Sequence, residues 1–178
     1  TRILIISAKS GGGHDGTADA LMHYLPQALE GPVEFQRLDV YGEGLKVLPW
    51  LARIRQHTYH LWNLFFWLTE QPWLFPILRW ALTGWLLRSV RVRIRFEPDL
   101  LVATHLAGAQ VLDSLSSELP GAPATLIVAT DYLPHRAWLA KADGLVVAAG
   151  VPAPVFDWHA HEAANAELIE AWGCGYAT

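Results

Sequence analysis

The chain has 178 residues, a formal net charge of −4 and a single cysteine, Cys174. That length suits one domain with a real core. One cysteine excludes an internal disulfide and makes a reduced compartment the default, and without a Cys-x-x-Cys pair no structural zinc site is expected. The charge is lopsided: residues 46–95 carry eight basic side chains (Lys46, Arg53, Arg55, Arg79, Arg88, Arg91, Arg93, Arg95) against one acid, Glu70, a local +7 that leaves −11 for the remainder. An anionic partner is expected for the basic part, and the acidic remainder argues against a broad nucleic-acid surface.

In chain order, Ile3-Leu4-Ile5-Ile6 is a short apolar run and predicts a buried strand over residues 2–7. Ser10-Gly11-Gly12-Gly13-His14-Asp15-Gly16 follows as an expected loop, whose glycines allow positive φ and close approach to a ligand. A helix predicted from residue 17 to about 29, shortened or kinked by Pro26, turns its N–H groups back toward that loop. The run fits neither the P-loop nor the G-x-G-x-x-G pattern; taken alone, it also reads as a tight strand-to-helix turn with an incidental histidine. Gly31-Pro32 breaks the chain, and residues 33–40 alternate apolar and polar as a second strand. A crossover this long implies parallel pairing in a right-handed βαβ unit.

Residues 41–95 hold six of the nine tryptophans: Trp50, Trp62, Trp67, Trp73, Trp80 and Trp85. Glu70 and Arg79 interrupt the apolar runs, and Pro72 and Pro76 break the helix, so a membrane-spanning helix is not expected. Two readings stand for the helical segment at about 44–96. One is an interfacial region, with Trp62, Trp67, Trp73 and Trp80 at the bilayer boundary and Arg79 and Arg88 on anionic headgroups. The other is a helical subdomain whose aromatics fill the core. Arg91, Arg93 and Arg95 alternate with apolar residues, which points to an extended or frayed end there.

Pro98-Asp99-Leu100-Leu101-Val102-Ala103-Thr104-His105 predicts a third strand, residues 107–119 a helix, residues 123–131 and 144–149 two further strands, and residues 160–172 a closing helix. Continuously apolar strands alternating with helices define an open, Rossmann-like parallel α/β sheet. His14, His105, Asp131 and His135 all follow predicted strand ends, the edge where such sheets bind ligands. Singly, His105 also reads as a satisfied loop histidine, and Asp131 as a helix cap or turn residue.

Together, the Gly11-Gly12-Gly13-His14 loop, the Pro98–His105 strand and the Thr130-Asp131-Tyr132 stretch with His135 and Trp138 resemble the N-terminal domain of monogalactosyldiacylglycerol synthases and processive diacylglycerol glucosyltransferases. More distantly they are similar to the peptidoglycan N-acetylglucosaminyltransferase. Leu106 stands where the family usually has proline. The resemblance implies the acceptor half, residues 1–178, of a two-domain GT-B glycosyltransferase, with a C-terminal UDP-sugar domain beyond this chain. It implies metal-free inversion with UDP-sugar as donor substrate and no resident cofactor, diacylglycerol or a related lipid as acceptor, and a peripheral place on the cytoplasmic face of an anionic membrane. By the same resemblance His14 is the base, Asp131 a second candidate or its orienting partner, and His105, His135 and Trp138 shape the acceptor pocket. The start at Thr1 inside a strand pattern and the stop at Thr178 read as an excised domain. A soluble nucleotide-binding module is the competing reading, with Gly11 to Gly13 on phosphate and Asp39, at the end of the second strand, on a ribose. A nucleic-acid binder ranks last.

Overall fold

The computed structural model describes residues 1–9, 12–40, 64, 67–69, 71–130, 138 and 140–147. Gly11, Trp62, Asp131, His135 and the closing helix expected at 160–172 lie outside them. Five strands form one all-parallel sheet: β1 (Arg2–Ser7), β2 (Glu34–Asp39), β3 (Leu100–Ala103), β4 (Ala124–Ala129) and β5 (Gly144–Val147), in the order β2-β1-β3-β4-β5. Among the described residues, three helices have defined bounds: α1 (Gly12–Ala28), α2 (Phe75–Arg91) and α3 (Leu106–Glu118).

β1 sits beside both β2 and β3, and its Ile3, Leu4, Ile5 and Ile6 are fully buried. The side-chain period of two divides them. Ile3 and Ile5 join Ala18, Leu21 and Leu25 under α1 on one face, while Leu4 and Ile6 join Leu86 and Val90 of α2 and Val111, Leu112 and Leu115 of α3 on the other. Cover on both faces is why β1 reads as an unbroken apolar run rather than an alternating one. The chain leaves β1 for β2 on one side and returns to β3 on the other, so the ends of β1 and β3 frame the topological switch point.

Two local expectations are corrected. α1 starts at Gly12, not residue 17, so Gly12 and Gly13 are helical and His14 lies in its first turn. The end of α1 at Ala28 is close to the expected one, with Pro26 inside the helix; Gly31, with φ +82°, follows beyond it. Pro76 opens α2 instead of breaking it, because the first helical turn has no intrahelical acceptor for the missing N–H. Leu106 is likewise the first residue of α3, the position where proline is well tolerated, so its departure from the family pattern leaves the helix start intact.

The alternating arginines end the helix as expected. Arg93 folds back, giving Nη1 to the Asp39 carbonyl at 2.7 Å and Nε to the Ser89 carbonyl at 2.6 Å. Gln36 of β2 clasps the same turn, donating to the Arg93 carbonyl at 2.7 Å and accepting from the Arg95 N–H at 2.9 Å. Arg91 pairs with Glu118 of α3 at 2.7 Å. The C-terminal end of α2 is thereby fixed to both β2 and α3.

Candidate active site at the ends of β1, β3 and β4

Ser7 ends β1, Thr104 and His105 follow β3, and Thr130 follows β4. The half-buried His14 lies among them. Its Nδ1 is 2.8 Å from the Thr104 carbonyl oxygen and 2.6 Å from Thr130 Oγ1. A carbonyl oxygen only accepts, so the proton of the neutral ring belongs on Nδ1. Thr130 accepts a share of that proton, with its own hydroxyl 3.4 Å from the same carbonyl. The lone pair of neutral His14 is therefore on Nε2, the arrangement of an oriented general base.

The backbone of His14 is held as well. Its carbonyl accepts from Thr104 Oγ1 at 3.2 Å and from Ser7 Oγ at 3.3 Å. Next to it, Asp15 accepts from Ser7 Oγ at 3.4 Å and from Arg37 Nη2 of β2, while Arg37 Nη1 reaches Asp19 at 2.7 Å. These contacts matter because the first turn contains Gly12, Gly13 and Gly16, and each glycine costs a helix about 0.5–1 kcal/mol relative to alanine.

His105 caps α3. Its backbone is extended (φ −138°, ψ 141°), and its Nδ1 accepts from the Ala107 N–H at 3.1 Å. The proton of neutral His105 is thus on Nε2. The ring meets His14 edge-on, with centroids 4.6 Å apart. Burial, and secondarily the nearby His14, push the His105 pKa down to about 3. It stays neutral at pH 7 and places no positive charge beside the His14 ring.

Gly108 sets how near α3 comes to β1: a Cβ there would lie 3.0 Å from Ile6 Cγ2 and 3.1 Å from the Ile6 carbonyl oxygen. At Gly13 and Gly16 the opposite holds, since an added Cβ would meet nothing within 4 Å. Both glycines line an open apolar groove of about 560 Å³ that runs along α1 past Thr17, Ala20, Leu21 and Tyr24.

Of the residues singled out in the sequence, His14 and His105 come together and Gly12 and Gly13 sit beside them. Trp138 does not join the surface of the site: it is fully buried in the larger apolar cluster, where its ring packs the core. Asp39 ends β2, its carbonyl taken by Arg93. Trp67, Trp73, Trp80, Arg79 and Arg88 are exposed, Trp80 by 83% of its surface. Ile77 and Trp80 of α2 share one side at helical spacing with Trp73 in the turn just before the helix, and Arg88 and Arg91 continue it. No described helix is long and apolar enough to cross a membrane, and no group of three or more His, Cys, Asp or Glu able to hold a metal ion occurs among the described residues.

Sequence reading gave no role to Ser7, Thr130, Asp15, Asp19 or Arg37. Thr130 carried a signal as a strand-end polar residue. The pairing of Arg37 with two acids one helical turn apart was readable only once β2 was placed beside β1.

An open parallel sheet with helices on both faces defines an α/β domain of the doubly wound class, and His14 lies at its switch point. The chain belongs to the monogalactosyldiacylglycerol (MGDG) synthase family, whose model matches residues 18–150. Membership implies glycosyltransferase activity in glycolipid biosynthesis. The matched stretch includes Thr104, His105 and Thr130 and begins just after His14. No curated protein and no solved structure matches the chain.

Proposed function

We propose that this chain is the acceptor domain of an inverting glycosyltransferase that moves a hexose from a UDP-sugar to diacylglycerol or a related lipid. The observation that carries the reading is the His14 ring, whose Nδ1 faces the Thr104 carbonyl and Thr130 Oγ1, leaving Nε2 as the basic nitrogen. In the reaction the acceptor hydroxyl oxygen attacks the anomeric carbon, the bond from that carbon to the UDP oxygen breaks, and the hydroxyl proton passes to Nε2 of His14. Asp131, next to Thr130, is the second candidate for the base or the partner that orients it. The donor is a substrate held by a second domain, and no resident cofactor enters the reading. The open space over Gly13 and Gly16 supports close approach of a ligand to the start of α1.

The exposed Trp73, Ile77 and Trp80 and the neighbouring Arg79 and Arg88 support peripheral docking on an anionic membrane at the cytoplasmic face. The test of the chemistry is His14→Ala in the intact enzyme. Turnover should fall by about 10²- to 10⁴-fold with membrane binding unchanged; activity within a few-fold of the parent would remove His14 from the role of base.

A further inference from the structure

His14 does the proposed chemistry from the least self-supporting turn of α1, with Gly12 and Gly13 before it and Gly16 after it. A side chain at Gly13 or Gly16 would have no packing neighbour either, since a Cβ at each position meets nothing within 4 Å. The turn is held by polar contacts from outside. Two hydroxyls, Ser7 and Thr104, fix the His14 carbonyl. The only charged clamp among the described contacts is Arg37, which spans Asp15, the residue bonded to His14, and Asp19, one helical turn on. A guanidinium fork engages two carboxylates at once and fixes direction as well as distance. Arg37 extends from the β2 side of β1, whereas Thr104 and Thr130 hold His14 from the β3 side.

We infer that Arg37 is a positioning residue for His14: by gripping Asp15 and Asp19 it sets the rotation and axial position at which α1 presents the imidazole to the ends of β3 and β4. The inference rests on the reading of His14 as the base. Without the clamp the first turn loses its hold on the β2 side, and the ring drifts from the Thr104 carbonyl and Thr130 hydroxyl that orient it.

The experiment is a comparison of Arg37→Met and Arg37→Lys in the intact enzyme. Arg37→Met should lower kcat by about 10- to 100-fold, with KM for the sugar nucleotide within about twofold of the parent. Arg37→Lys, which restores the charge but not the fork, should recover part of kcat. In parallel, histidine NMR should show loss of the His14–His105 ring contact in Arg37→Met while the thermal unfolding transition is retained. An unchanged kcat, or an unchanged His14–His105 contact, overturns the proposal. If Arg37→Met does not fold, Asp15→Asn with Asp19→Asn removes the same ion pairs with side chains of nearly the same shape and is read in the same way. The NMR arm does not depend on the chemistry: should His14→Ala remain active, the base assignment falls while the ring contact still decides the role of Arg37.

Discussion

At the scale of single residues, the site couples a histidine that can take a proton to one that cannot. His105 spends Nδ1 on the helix cap and is buried, which holds its pKa near 3. The unfolded chain binds this proton below about pH 6.5 and the folded chain only near pH 3, so the contribution of His105 to stability is complete above pH 6.5 and is lost on going down to pH 3. The slope approaches about 1.4 kcal/mol per pH unit. His105→Asn keeps a capping oxygen and has no proton to bind; chemical denaturation at several pH values should show that slope removed, and an unchanged slope would assign the acid sensitivity elsewhere. Gly13 offers a second test. Because its Cβ position is open, Gly13→Ala should raise stability by about 0.5–1 kcal/mol through helix propensity. The same methyl stands where the ligand is proposed to approach, so activity should fall as stability rises. A more stable and fully active variant would mean that no substrate comes near this turn.

At the scale of elements, the strands and α3 are legible, and the starts of α1 and α2 are not. Unbroken apolar runs such as Ile3 to Ile6 and Leu100 to Ala103 announce strands covered on both faces. The start of α1 was read as a loop because glycines are poor helix formers, and its helical first turn depends on Ser7, Thr104 and Arg37, residues distant in sequence or in another element. Pro76 misled in the opposite sense, since a proline signals a break or a beginning depending on where the apolar face starts. Gly108 is where one element presses closest on another. Gly108→Ala would push α3 off the Ile6 carbonyl and carry His105 with it, at a cost of about 1–3 kcal/mol in chemical denaturation. A gain in stability would mean that α3 yields freely and that helix propensity dominates there.

At the scale of the molecule, α1 covers one face of the sheet while α2 and α3 cover the other, and the exposed tryptophans belong to the α2 side. Under the proposed function, vesicle co-sedimentation of the intact enzyme should require anionic lipid and weaken as salt shortens the screening length to about 10 Å at 0.1 M. Trp73→Ser with Trp80→Ser should weaken it further without altering thermal unfolding, because neither side chain is in the core. Binding indifferent to both changes would leave this face without a membrane role. The strand-end rule made His14 and His105 legible as neighbours, yet their partners depend on which strands lie side by side, and local sequence pattern does not encode that order. The order also dictates when the site can come into being. His14 leaves the ribosome before its partners: its Thr104 contacts wait for a residue 90 positions later, and Thr130 follows at 116. The β1–β2 pairing closes a comparatively short loop, whereas the β1–β3 pairing must close one containing the whole tryptophan-bearing segment, and long closures are slow. Until then the β3-facing edge of β1 is unpaired. The imidazole is thus synthesised long before the residues that complete its surroundings.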